Sequence, residues 1–94
     1  MKADKVTGYE LRPAVRVFAE AMEKTLREND YKGGWGLQDC STHYLLCRLA
    51  GEVGELFALN AKVGDYYVNE KELEDIANFA MMLWNRSKGT LMYR

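Results

Sequence analysis

A chain of 94 residues with 48% apolar residues and a formal net charge of −1 suits one small globular domain and is too apolar for disorder. Balanced charge excludes the basic face that a nucleic-acid backbone requires. No apolar run approaches the roughly 20 residues of a membrane span, and the opening MKADKVTGYE lacks the apolar core of a secretory signal. The expected setting is therefore soluble and cytoplasmic, with no nucleic-acid or membrane partner.

Residues 1–12 read as an N-terminal arm. Pro13 suits the first turn of a helix, and Val15, Phe18, Ala19, Met22 and Leu26 recur at helical spacing, which predicts a helix over 13–29. A glycine-rich loop is expected over 30–39, where Lys32-Gly33-Gly34-Trp35 breaks the pattern. A second helix is expected over 40–62, with Asp39 or Ser41 as its N-cap. Cys40 and Cys47 lie on it about 10.5 Å apart, too far for a disulfide, and read as reduced thiols packed as small apolar residues. His43 is not placed to complete a zinc site with them and reads as structural. Gly64-Asp65 ends this helix, a short loop with Tyr66 and Tyr67 follows, and Asn69 caps a third helix over 70–87.

No alternating strand pattern appears, so the expected class is all-α: a helical hairpin with an additional N-terminal helix. Both later helices are apolar over more than one narrow stripe, which a single hairpin cannot cover. The expectation is a homodimer or homotetramer that completes a four-helix-type bundle between copies.

The second helix carries Glu52-Val53-Gly54-Glu55 and the third Glu72-Leu73-Glu74-Asp75. Carboxylates three residues apart stand on adjacent turns, about 60° apart around the axis. Leu49 and Leu56 flank Glu52, while Phe79 and Leu83 flank Glu72, so these acids sit at the margin of the core-facing surface. Antiparallel packing would bring four carboxylates together, and such a group needs a cation to offset its repulsion. An all-oxygen ligand set favours Mg²⁺, or Mn²⁺, over zinc or copper, and the absence of Glu-x-x-His argues against a di-iron bundle. Each acid also has a plainer use. Glu72 can close a capping box with Asn69, Glu74 and Asp75 can serve the helix dipole, and Glu52 and Glu55 can pair with Arg48 and Lys62.

The spacing Glu52-x-x-Glu55, sixteen residues, then Glu72-x-x-Asp75 resembles the signature of the MazG-like all-α nucleotide pyrophosphohydrolases. The strings KGGW at Lys32 to Trp35, RLAGEVGEL at Arg48 to Leu56 and ELEDIANFAMML at Glu72 to Leu83 resemble its short single-domain members. The resemblance spans roughly residues 18–85. It implies Mg²⁺-dependent hydrolysis of a nucleoside triphosphate, particularly a deoxynucleotide, to monophosphate and pyrophosphate, a nucleotide-pool house-cleaning activity. It places Glu52, Glu55, Glu72 and Asp75 as metal ligands, with Glu52 or Glu55 acting on the attacking water.

Further candidates complete the expected substrate site. Asn78 follows Asp75 by one turn and reads as a metal or sugar contact, or as an inert polar position. Lys32 is a phosphate contact or part of a plain turn, since KGGW lacks the Walker pattern. Trp35 stacks on a base or anchors its loop to the core. Arg86 is a phosphate contact or a solvated helix-end arginine. The short stretch after Trp84 leaves room for a neighbouring subunit to supply part of the pocket, with Lys32, Trp35 or the Tyr66-Tyr67 loop serving another chain's acids. Two other functions fit the same acids: a phosphoribosyl-ATP pyrophosphohydrolase-like enzyme and a non-catalytic helical oligomerisation module.

Overall fold

A computed structural model describes residues 10–64 and 69–88. Most of the expected N-terminal arm and the Tyr66-Tyr67 loop lie outside the described residues. Three helices make the fold, α1 (Pro13–Glu28), α2 (Thr42–Val63) and α3 (Glu70–Ser87), and no strand occurs among the described residues. The all-α expectation holds, α3 has the expected bounds, and the ends of α1 and α2 lie within two residues of the expected ones.

Local chemistry explains those ends. Pro13 occupies the first turn of α1, and Asn29 rather than a further helical turn closes it, its N–H reaching Leu26 O at 3.0 Å. Asn29 also turns its side chain back, Nδ2 donating to Thr25 O at 2.9 Å. A single 3₁₀ turn, Asp30–Lys32, follows inside the stretch expected to be irregular. Gly33 then takes a φ of 96°, a backbone conformation that costs glycine little and other residues much. Ser41, not Asp39, caps α2, its Oγ accepting from Tyr44 N at 3.0 Å. Asp39 instead accepts from Gly36 N at 3.1 Å and tightens the loop. At the far end Gly64, with φ 118°, donates to Asn60 O. Asn69 caps α3, Oδ1 accepting from Glu72 N at 3.0 Å.

Helix α3 is the centre of the fold. Helices α1 and α2 each pack against it and not against one another. Both run antiparallel to it, since Thr25 near the end of α1 meets Glu74 near the start of α3, while Thr42 at the start of α2 meets Arg86 near its end. Buried apolar side chains among the described residues are few, namely Trp35 and Leu45. Other buried residues are polar, and two bonds tie them across elements: Thr25 Oγ1 donates to Glu74 Oε1 at 2.8 Å, and Trp35 Nε1 to Asn85 Oδ1 at 3.0 Å.

The complement of this thin core is a broad apolar exterior. Leu46, Val53 and Phe57 of α2 are 50%, 46% and 78% exposed, Val17 of α1 is 64% exposed and Trp84 of α3 is 62% exposed. Cys47 shares the exposed side of α2, its Sγ 3.4 Å from His43 Nε2, whereas Cys40 is half-buried. The expectation that both thiols pack as core residues is therefore corrected for Cys47. The 22-residue α2 has one face turned to α3 and an opposite face without cover.

Candidate functional site

Because α1 and α2 meet only α3, a groove remains between them. Helix α3 forms its floor, and the chain linking α1 to α2 crosses its end. The resulting cavity of about 670 Å³ is lined by Thr25 and Asn29 of α1, Lys32 and Trp35 of the loop, Tyr44, Arg48 and Glu52 of α2, and Lys71, Asp75 and Asn78 of α3. That volume lies within the roughly 300–1,000 Å³ common for small-molecule sites.

The acids gather at one side of this groove. Carboxylate oxygens of Glu52, Glu55 and Glu72 all lie within 4.8 Å of one another. Glu52 is buried, Glu72 half-buried and Glu55 exposed. Asp75 stands outside that triad and lines the cavity together with Glu52, so Glu52 is the acid common to both groups. A rotation of about 60° for every three residues of helix sets Glu72 and Asp75 at different angles around α3.

Crowding sets the electrostatics. The Glu72 carboxyl is pushed up to about 7, first by its hydrogen-bonding contact with Glu52, then by burial, then by the charges of Glu52 and Glu55. The Asp75 carboxyl is also raised, chiefly by burial and next by the charge of Glu52, with Lys71 and Lys32 pulling the other way. Glu72 Oε1 is buried without a hydrogen-bond partner. A cation at the triad would satisfy this orphaned oxygen and offset the mutual repulsion, and hard oxygen donors suit Mg²⁺ or Mn²⁺. The residues present therefore fit such an ion.

The plainer uses of these acids are partly realised. Arg48 Nη2 sits 3.1 Å from Glu52 Oε2, and its guanidinium lies over the Phe79 ring, 5.4 Å from the centroid. The pair holds the Glu52 side chain beside the triad. Asn69 makes its half of the capping box through the Glu72 backbone, while the Glu72 carboxylate turns to Glu52 and Glu55. No ion pair joins Glu55 to Lys62 among the described residues. Glu74 faces away from the triad and receives Thr25.

Of the other candidates, Lys32 and Asn78 line the groove. Asn78 is buried, with Nδ2 donating to Met22 O at 3.2 Å and Oδ1 without a partner. Trp35 is 7% exposed and its indole N–H is spent on Asn85, so it anchors the loop while forming a wall of the groove. Arg86 is half-buried and outside the groove lining. Its Nη2 donates to the carbonyls of Trp35, Gly36 and Cys40, and its Nη1 to Thr42 Oγ1 at 3.2 Å.

Sequence reasoning passed over Lys71 and undervalued Arg48. Arg48 lies four residues before Glu52, a spacing visible in the sequence. Lys71 joins Glu28 at 2.9 Å and Thr25 at 3.3 Å across two helices, and no local pattern announces it. Together Lys32, Arg48 and Lys71 give the groove three cations beside its acids, an arrangement suited to a polyanion held next to a metal. Comparison with known proteins is silent: no family model, curated protein or solved structure matches the chain.

Proposed function

We propose that this protein is a Mg²⁺-dependent nucleoside triphosphate pyrophosphohydrolase of the MazG-like type, acting as a homo-oligomer. The observation that carries the reading is the meeting of Glu52, Glu55 and Glu72 within 4.8 Å beside a groove that Asp75, Lys32, Lys71 and Arg48 also line. A bound divalent ion would supply charge neutralisation and Lewis acidity toward the triphosphate. The chain's residues supply the rest. Lys32 and Lys71 draw the polyanion into the groove, and Trp35 closes the wall on the loop side. Arg48 holds Glu52 in place.

Glu52 or Glu55 takes a proton from water as its oxygen bonds to the α-phosphorus. The α–β anhydride bond then breaks and pyrophosphate leaves with the bonding electrons, leaving the monophosphate. A panel of ribo- and deoxynucleoside triphosphates tests this reading. Pyrophosphate release is expected with Mg²⁺ and not with EDTA, and its absence for every nucleotide with folded protein would refute the assignment.

The apolar exterior supports the oligomer. Leu46, Val53 and Phe57 recur at helical spacing on the exposed side of α2, an apolar face of the kind that marks interaction sites, and a second copy is the simplest cover. Phe57→Asp is expected to weaken self-association roughly 30-fold or more, the size of an interface hot spot. Sedimentation across a concentration series measures it. Unchanged association would show that this face is not the contact.

A further inference from the structure

The chain between α1 and α2 is fastened to the last turns of α3 at two points. The first is the buried pair Trp35–Asn85, with the indole N–H donating at 3.0 Å. The second is Arg86, a half-buried guanidinium that gathers three loop carbonyls, Trp35 O, Gly36 O and Cys40 O, the last two at 3.1 and 2.9 Å. It also reaches Cys40 Sγ at 3.5 Å and Thr42 Oγ1. The three carbonyls and the thiol all meet the single atom Nη2, while the planar guanidinium carries Nη1 to Thr42 as well. A lysine ammonium in the same place can serve the carbonyls but loses the bond to Thr42.

The fastening bears on the groove through Trp35. Its indole lines the groove on one side and, on the other, a second cavity of about 610 Å³ bordered by α1 and α3. The loop's own bonds shape its turn and do not reach α3: Asp39 Oδ2 accepts from Gly36 N, and Asp39 N and Cys40 N donate to Gly36 O at 2.9 and 3.1 Å. Asn85 and Arg86 are what tie the Trp35 loop to the end of α3.

We propose that Arg86, together with Asn85, is a positioning residue that holds the Trp35 loop as the wall of the nucleotide groove, and so sets affinity for the substrate without touching it. This rests on the hydrolase reading above. It predicts a split: loosening the wall weakens substrate capture, while the acids on the middle of α2 and the start of α3 keep their arrangement.

The test uses the full chain with Trp84→Phe, so that Trp35 is the sole tryptophan, and compares Arg86 with Arg86→Ala and Arg86→Lys. Acrylamide quenching of Trp35 without nucleotide is expected to rise at least threefold in Arg86→Ala, with far-UV helicity unchanged. With the best triphosphate, KM of that variant is expected to rise about tenfold while kcat stays within about threefold. Lysine, whose single nitrogen can still meet the loop carbonyls, should restore both readouts in part and together. Rescue of KM by lysine without rescue of quenching would instead mark Arg86 as a direct phosphate contact and overturn the proposal, as would unchanged quenching or an unchanged KM in Arg86→Ala. If Arg86→Ala fails to fold, Asn85→Leu on the same background is read by the same two criteria, since it removes the acceptor of the indole N–H at similar side-chain size: at least threefold higher quenching and a raised KM are expected, and wild-type values for both overturn the proposal. A wild type that releases no pyrophosphate overturns the hydrolase reading, and quenching still decides whether the loop is held.

Discussion

Glu55→Ala is expected to lower Mg²⁺-dependent pyrophosphate release on the order of 10³-fold, equivalent to about 4 kcal/mol of transition-state stabilisation. Glu55 is exposed while its carboxylate reaches the triad, so the loss should come without a folding defect. Surface substitutions usually change stability by only about ±0.5 kcal/mol, and removing one of three crowded like charges favours the metal-free fold. Steady-state kinetics with parallel thermal melts measure both quantities. A variant that keeps more than a tenth of wild-type activity would remove Glu55 from the metal-binding set and leave the triad without its assigned purpose.

The second large effect concerns pH. Glu72 is pushed up to about 7 in the fold from an unfolded value near 4.5, and Asp75 is raised as well. Between those two values the folded protein holds a proton that the unfolded chain has released. Metal-free stability must therefore fall as pH rises from about 4.5 through 7 and level off above it. Part of the site is open to solvent, which screens the repulsion, so a loss of about 1–2 kcal/mol is expected, roughly 4–8 °C in Tm per kcal/mol for a domain of this size. Glu72→Gln should flatten the slope. Mg²⁺ should reverse it, raising Tm more at pH 8 than at pH 5, because the ion binds the ionised acids. Melts at four pH values with Mg²⁺ and with EDTA give the answer. A metal-free Tm that climbs between pH 5 and pH 7 would mean that the acids do not repel as described.

What the sequence made legible was local. Pro13, Ser41, Gly64 and Asn69 mark helix ends through chemistry confined to one turn, and each does so in the structure. The acids were legible because a helix places residues three apart on neighbouring turns, although that periodicity did not separate Asp75 from the triad. The central position of α3 was not legible. Nothing in the heptad-like patterns of α1 and α2 says that they avoid one another, and the groove follows from that avoidance. Arg86 shows the same limit. It read as a phosphate contact or a solvated helix-end arginine, but its partners are carbonyls of a loop some fifty residues earlier in the chain, and backbone acceptors leave no trace in a sequence pattern. Trp35 was ambiguous between stacking and anchoring, and the bond to Asn85 makes it an anchor.

Helix α2 has a consequence for how such a protein can vary. Glu52 and Phe57 are five residues apart and thus about 140° around one rod, with the acid buried against α3 and the phenyl ring 78% exposed. Substitutions that retune one side have little steric reason to disturb the other. The helix behaves as two sequences interleaved at a period of 3.6, one answerable to electrostatics and one to shape, each free to drift under its own selection. A lineage could change its stoichiometry, or lose it, while its carboxylates stayed fixed in register.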